Sequence, residues 1–157
     1  MANKKDHPGV YPPPPLFYVA IFLVSILMQK QFPLPALFFK TKAATIPGVI
    51  FVMTGIIFIL PALIKFFKTK NTLVTIKPAN SLQTSGIYAI SRNPMYLGLM
   101  CLYTGIAFLK GNFWTLMFIP LVIWIITHFV ILNEEKYLGR AFDQDYKAYR
   151  TKVRRWI

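Results

Sequence analysis

Hydrophobic residues in this chain fall into four blocks separated by polar stretches. The blocks cover residues 16–28, 46–67, 94–109 and 113–132. A helix needs about 20 residues to cross the hydrocarbon core of a bilayer, so the second and fourth blocks have the required length. The first and third are shorter, which indicates local thinning of the bilayer or helix ends buried in protein. The pattern predicts an all-α integral membrane protein with about four transmembrane helices.

The polar stretches divide the chain into three parts. Residues 1–15 form a proline-rich tail, residues 16–133 hold the transmembrane core with a cytoplasmic loop at 68–93, and residues 134–157 form an amphipathic cytoplasmic helix. Apolar side chains in this last part recur at steps of three and four, on one helical stripe: Leu138, Phe142, Tyr146, Tyr149 and Val153. We expect this helix to lie on the membrane surface or to fold back over the loop.

Close helix packing is indicated in the second block. Gly48 and Gly55 lie seven residues apart on one helix face and would allow a neighbouring backbone to approach closely. The same face permits a dimer but does not argue for one, and the sequence leaves the oligomeric state open.

The basic residues predict an orientation in the membrane. The chain carries 18 Lys and Arg residues and a net charge of +13. With a cytoplasmic N-terminus, 14 of them lie inside and four lie outside, namely Lys30, Lys40, Lys42 and Lys110. The positive-inside rule favours this topology, which also places the C-terminus in the cytoplasm. Anionic lipid headgroups are therefore the expected counterions, and we expect no nucleic-acid partner.

Two polar motifs flank the last two hydrophobic blocks. S-R-N-P-M-Y occupies residues 91–96 and N-E-E occupies residues 133–135. Gly111 and Asn112 predict a tight turn, so the two blocks would form an antiparallel hairpin with both motifs on its cytoplasmic side. Asn93 is placed to cap the helix that begins at Pro94.

The adjacent carboxylates Glu134 and Glu135 are unusual at the end of a transmembrane helix, where the helix dipole favours cations. They could form salt bridges with Arg92 or with the C-terminal arginines. Alternatively, one or both could hold a cationic ligand, because ionisable groups at a membrane boundary are candidates for a functional site. Arg92 and Tyr96 also have ordinary explanations as interfacial side chains.

Histidine and cysteine supply little further chemistry. His128 lies seven residues before Glu135, on roughly the same helix face as Trp124 and Ile131. It is either a packed, hydrogen-bonded side chain or a residue facing the substrate. The single cysteine, Cys101, excludes an intrachain disulfide, and the chain offers no typical set of metal ligands, so we expect no metal site.

Taken together, these motifs resemble a known family. S-G-I-Y-A-I-S-R-N-P-M-Y-L-G at residues 85–98 is followed by N-E-E-K-Y-L, then F-D-Q-D-Y-K-A-Y-R and V-R-R-W-I. This order resembles the isoprenylcysteine carboxyl methyltransferase and phospholipid methyltransferase superfamily over residues 45–157, and its short bacterial members most of all. The resemblance implies an enzyme of the bacterial inner membrane that uses S-adenosylmethionine to methylate a small lipophilic acceptor.

The resemblance also implies roles for individual residues. The cofactor pocket would be lined by Gly86, Tyr88, Arg92, Asn93, Pro94, Tyr96, Glu134, Glu135, Tyr146 and Tyr149. Catalytic candidates near the acceptor are Arg150, Arg154, His128 and Glu135. Two positions depart from the family pattern. Asn93 stands where histidine is frequent, and Asp143 replaces the glycine of an F-G-x-x-Y motif.

Two questions remain open from the sequence. The acceptor group could be a carboxyl, an amine or a thiol. The chain could also be a non-catalytic membrane protein that binds anionic lipid or a partner through its basic cytoplasmic face, with both glutamates paired internally to arginine.

Overall fold

The computed structural model describes residues 9, 12–69 and 81–157. Parts of the predicted tail at residues 1–15 and of the predicted loop at 68–93 lie outside these residues. Regular structure in the described residues is entirely helical, which confirms the all-α expectation. The α-helices are α1 (Pro15–Gln31), α2 (Lys42–Lys68), α3 (Pro94–Lys110), α4 (Phe113–Met117), α5 (Ile119–Ile125) and α6 (Leu132–Lys152). Short 3₁₀ turns cover Leu37–Lys40 and Gly86–Ala89.

One helix of the described residues, α2, is long and apolar enough to cross a membrane by itself. Its 27 residues correspond to about 40 Å of helix, more than the hydrocarbon thickness of a bilayer. Helices α1 and α3 are apolar but have 17 residues each. The expectation of about four crossings depends on these shorter helices as well.

The fourth hydrophobic block is not one uniform helix. It is divided into α4, α5 and a π-helical turn at Ile126–Ile131, and Phe118 separates α4 from α5 with φ −84° and ψ −2°. A π turn inserts an extra residue and shifts the helix register. Trp124 and His128 are consequently exposed, whereas Ile131 is fully buried. The expectation that these three side chains form one stripe is therefore wrong.

Helices α2 and α3 pack with their backbones in close contact. A Cβ atom placed on Gly55 would lie 2.8 Å from the Gly98 carbonyl oxygen, and one on Gly105 would lie 2.8 Å from the Gly48 carbonyl oxygen. The glycine face predicted on α2 is therefore the face that contacts α3.

Helices α3 and α4 form the expected antiparallel hairpin. Gly111 ends α3 in the left-handed conformation with φ +69°, and the Asn112 side chain accepts a hydrogen bond from the Thr115 N–H to begin α4. Helix α1 lies alongside both, since Tyr18 Oη donates to the Tyr96 carbonyl and Ser25 Oγ lies 2.7 Å from Thr115 Oγ1. We call the end with the starts of α1 and α3 the motif end, and the end with residues 111–112 the turn end.

The C-terminal helix folds back over the loop, which is one of the two positions expected from the sequence. Tyr146, Tyr149 and Val153 are buried and pack with Leu82 from the loop. Tyr149 Oη donates a hydrogen bond of 2.6 Å to the Tyr88 carbonyl oxygen. These contacts bring the C-terminal part of the chain to the motif end.

Candidate functional site

Backbone and side-chain hydrogen bonds join the S-R-N-P-M-Y motif to the C-terminal segment. The Arg92 N–H donates to the Arg154 carbonyl at 3.0 Å. Ser91 is fully buried, and its Oγ accepts from the Asn93 N–H and donates to the Arg155 carbonyl. Residues about 60 positions apart are thereby held at fixed positions in one site.

Asn93 is the N-cap residue of α3 and Pro94 is the first residue of that helix, as predicted, but the Asn93 side chain makes no capping hydrogen bond. Its Nδ2 instead donates to the Arg155 carbonyl oxygen at 2.9 Å, and only its backbone carbonyl serves the helix, by accepting from Leu97 N–H. The buried Pro94 follows as the first residue of α3. The Asn93 amide is thus used as a donor to the C-terminal segment.

Glu135 is the centre of a charged cluster at the motif end. Arg155 binds it in a bidentate manner, with Nε–Oε1 and Nη2–Oε2 distances of 2.9 Å each. Arg92 Nη1 lies 3.1 Å from Glu135 Oε1 and also 3.1 Å from Tyr146 Oη. The side chains of Arg92 and Glu135 are each 9% exposed. Burial raises the pKa of Glu135, but the Arg155 hydrogen bonds and the charges of Arg92, Arg155 and Arg150 outweigh burial and hold it below its ordinary value.

Glu134 has a different environment, although it is adjacent in sequence. Its Oε1 accepts a hydrogen bond of 2.6 Å from Tyr96 Oη, and no cationic side chain of the described residues forms an ion pair with it. Burial raises the pKa of the Glu134 carboxyl to about 7, opposed by the Tyr96 hydrogen bond and assisted by the charge of Glu135. Glu134 is therefore held by a neutral tyrosine hydroxyl, whereas Glu135 is held by guanidinium groups.

Two polar atoms of the cluster are buried without a hydrogen-bond partner among the described residues. They are Arg92 Nε and Tyr88 Oη. Buried donors and acceptors are normally satisfied, so unpaired atoms beside a charged cluster indicate a ligand position. Lys65 Nζ lies 5.9 Å from the centre of the Tyr88 ring and is hydrogen-bonded to Ser85.

Several predicted site residues lie apart from this cluster. His128 is exposed on the outside of the bundle, and its Nδ1 lies 2.9 Å from the Trp124 carbonyl oxygen of its own helix. Gly86 is exposed with φ +67° and open space around it. The side chains of Arg150 and Arg154 are exposed as well, although Arg150 is near enough to lower the pKa of Glu135. The catalytic roles of His128, Arg150 and Arg154 stay predictions.

Sequence reasoning gave Arg155 and Ser91 no role in the pocket. Arg155 was one of several arginines that could pair with a glutamate, and nothing in V-R-R-W-I distinguishes it from Arg154. Ser91 is the first residue of the S-R-N-P-M-Y motif, and its place beside Arg92 is the only feature of the sequence that could have indicated a role in the site. The described residues contain no group of three or more His, Cys, Asp or Glu side chains that could hold a metal ion.

Comparison with known proteins identifies the family. A family model described as phospholipid methyltransferase matches residues 43–145. The chain belongs to the phospholipid methyltransferase family. This match confirms the resemblance found in the sequence. The matched region ends at residue 145, so Tyr146 and Arg155 of the charged cluster lie outside it.

Two relatives extend the comparison. The chain is 40% identical over 72 residues to the Protein-S-isoprenylcysteine O-methyltransferase of Schizosaccharomyces pombe, over 46% of this chain and 30% of that protein. It is 35% identical over 63 residues to an uncharacterized protein of Haemophilus influenzae, over 40% of this chain and 100% of that protein. The chain thus matches less than a third of the length of the fungal enzyme. No solved structure matches significantly.

Proposed function

We propose that the chain is an integral membrane methyltransferase that uses S-adenosylmethionine to methylate a small lipophilic acceptor. The observation that carries this proposal is the charged cluster at the motif end. Arg92 comes from the first motif, Glu135 from the second, and Tyr146 and Arg155 from the C-terminal segment. Family membership supports the reaction class, and the charged cluster supports our proposal that the reaction takes place at the motif end.

The residues at this place fit the proposed cofactor. S-adenosylmethionine carries a sulfonium, an ammonium and a carboxylate, and when bound it supplies an electrophilic methyl group. Glu134, which has no cationic partner among the described residues, would hold the ammonium. Arg92 Nε is a buried donor without a partner and would hold the carboxylate in a charge-assisted hydrogen bond. Tyr88 Oη offers a further polar contact.

The other members of the cluster would position these groups. Tyr96 Oη fixes the orientation of the Glu134 carboxylate, and Glu135 fixes the guanidinium groups of Arg92 and Arg155. Methyl transfer is an in-line displacement in which the positive charge on sulfur disperses. Such a reaction needs alignment of the reacting atoms and exclusion of water more than strong acid–base groups.

The topology would supply both reactants. We infer four crossings, formed by α1, α2, α3 and the α4–α5 arm of the hairpin. Helix α3 packs against α1, α2 and α4, and both termini lie in the cytoplasm of a bacterial inner membrane. A lipophilic acceptor would then enter from the bilayer and the polar cofactor from the cytosol. The acceptor group stays open: a carboxylate would favour Arg150 or Arg154, whereas an amine would need a base such as Glu134.

The reaction can be tested directly by methyl transfer. Purified protein would be incubated with methyl-labelled S-adenosylmethionine and a total lipid extract, and label in the organic phase would be divided into base-labile esters and base-stable products. We expect labelled product from the wild type and from the Asp145→Asn variant, which removes one exposed charge. At least 100-fold less is expected from Arg92→Leu. Equal labelling by Arg92→Leu would contradict the placement of the site.

One observation favours the non-catalytic alternative. Glu135 is bound by two arginines of the same chain, as a purely structural ion-pair cluster would be. A protein of that kind, binding anionic lipid or a partner through its basic face, would show no affinity for S-adenosylmethionine in any variant. The methyltransferase proposal requires wild-type affinity for the cofactor.

A further inference from the structure

A cavity lies at the turn end of the bundle, far from the charged cluster. It has a volume of about 390 Å³ and is lined by Phe22, Ile26, Gln29, Lys30, Lys110, Gly111 and Asn112. Helix α3 runs between the two ends for 17 residues, or about 25 Å. The volume is in the range of small-molecule sites. The proposed methyl transfer makes no use of this cavity.

The charge of the cavity is positive. Lys30 lies in the last turn of α1 and Lys110 is the last residue of α3, and the lining contains no acidic residue. These two lysines belong to the four basic residues that the predicted topology leaves on the outer side of the membrane, where the positive-inside rule disfavours them. Two lysines that line one cavity there fit an anionic headgroup.

The polar atoms of the cavity lining are only partly engaged. Asn112 Nδ2 donates to the Ser25 carbonyl, and Gln29 Nε2 donates to the Leu34 carbonyl at 2.9 Å. The remaining amide oxygen, Gln29 Oε1, is buried and accepts no hydrogen bond from the described residues. An acceptor of this kind is costly to leave unpaired, so a donor on the ligand would stabilise it.

The apolar part of the cavity is continuous with the outer surface of α1. Ile26 lines the cavity and is 45% exposed, and the neighbouring Leu23 and Leu27 are 55% and 62% exposed. In a membrane these side chains would contact acyl chains. The cavity therefore joins a cationic rim to a lipid-facing surface.

We propose that this cavity binds one anionic glycerophospholipid of the outer leaflet. Lys30 and Lys110 bind its phosphate, Gln29 accepts a hydrogen bond from a hydroxyl of its headgroup, and its acyl chains lie along Ile26. The lipid at this site is a bound structural lipid, distinct from any methyl acceptor at the motif end. The proposal depends on the predicted topology but not on the proposed methyltransferase activity.

The test uses the full-length protein in detergent with dioleoyl phosphatidylglycerol as the probe. Native mass spectrometry would measure the lipid's dissociation constant for the wild type, for Lys30→Gln/Lys110→Gln and for the control Lys40→Gln/Lys42→Gln. Both double variants remove two exposed charges from the same side of the molecule, but only the first pair lines the cavity. Circular dichroism would confirm that both remain folded.

We expect the dissociation constant to rise at least tenfold in the cavity variant and less than twofold in the control. Dioleoyl phosphatidylmethanol, which carries the phosphate without headgroup hydroxyls, should bind the wild type several-fold more weakly than phosphatidylglycerol. Equal weakening by both double variants would overturn the proposal, because the attraction would then be diffuse. Equal affinity for phosphatidylcholine, or complete competition by millimolar inorganic phosphate, would overturn it as well.

Discussion

At the scale of single residues, two adjacent carboxylates have opposite environments. Glu135 is held by two guanidinium groups, whereas Glu134 faces a tyrosine hydroxyl and no cation of the described residues. The pKa of Glu135 is lowered and that of Glu134 is raised to about 7. The pair therefore combines a carboxylate fixed by two arginines with one that has a pKa of about 7 and no cationic partner among the described residues.

Glu135→Gln should destabilise the fold by about 3 kcal/mol at pH 7, because it leaves the buried Arg92 without its counter-charge. The pKa of Glu135 is lowered on folding, so its contribution is present above about pH 4.5 and is lost as the pH falls through the folded-state pKa. Thermal unfolding of both proteins between pH 3 and pH 8 measures this. If the difference in stability between the wild type and Glu135→Gln did not become smaller at acid pH, the lowered pKa of Glu135 would be contradicted.

Glu134 should show the opposite pH dependence. Its folded-state pKa of about 7 exceeds the ordinary value of 4.5, so the folded protein holds an extra proton between these values and loses stability as the pH rises through them. The wild type should therefore become less stable relative to Glu134→Gln from pH 4.5 to pH 7. Unfolding midpoints of the two proteins at pH 5 and pH 8 test this, with Asp145→Asn, which removes an exposed carboxylate, as the control.

The sequence placed some of these residues correctly and could not place others. The hairpin turn at Gly111 was enough to bring Arg92 and the glutamates to one end. The choice of Arg155 over its neighbours was not predictable, because it depends on where the chain turns after Val153. His128 was misplaced because a π turn cannot be read from hydrophobic periodicity alone.

At the scale of elements, Asp143 marks a kink within α6. Its φ of 29° and ψ of −102° lie in a region that residues with a Cβ atom rarely adopt. The F-G-x-x-Y motif of the family that the sequence resembles has glycine at this position. Its exposed ion pair with Lys147 adds little. The predicted single amphipathic helix is thus two helical segments that meet at a strained residue.

Asp143→Gly should stabilise the protein by about 1 kcal/mol, because glycine removes the strain at positive φ. The matched control is Asp145→Gly, two residues further along the same helix, where φ is ordinary and glycine should destabilise by about 0.5–1 kcal/mol. Unfolding in detergent measures both. Destabilisation of similar size by both substitutions would show that Asp143 is not strained.

The α2–α3 contact makes a second prediction at this scale. Gly55→Ala should destabilise by about 1–3 kcal/mol, because its Cβ would lie 2.8 Å from a backbone carbonyl oxygen that cannot move aside. Gly139→Ala is the control, since its Cβ would meet only a Tyr146 ring atom at 3.9 Å and alanine favours the helix. If the two substitutions had equal effects on the unfolding midpoint, the close helix contact would be contradicted.

At the scale of the whole molecule, the two ends of the bundle have different chemistry. The motif end holds paired charges and buried polar atoms that have no hydrogen-bond partner among the described residues, and the turn end holds a cavity lined by two lysines. Helical class and hairpin were predictable from hydrophobic blocks and turn residues. The position of α6 over the loop was not predictable, because an amphipathic stripe can pack against a membrane surface or against a loop of the same chain. The hydrogen bond from Tyr149 to the Tyr88 carbonyl places it against the loop.

The most direct test of the central claim is calorimetric titration of S-adenosylmethionine into the detergent-purified protein at pH 8. The claim predicts micromolar affinity for the wild type and Asp145→Asn, and at least tenfold weaker binding for Glu134→Gln with an unchanged fold. Absence of binding to a folded wild-type protein, or equal affinity of Glu134→Gln and the wild type, would contradict a cofactor site at the motif end.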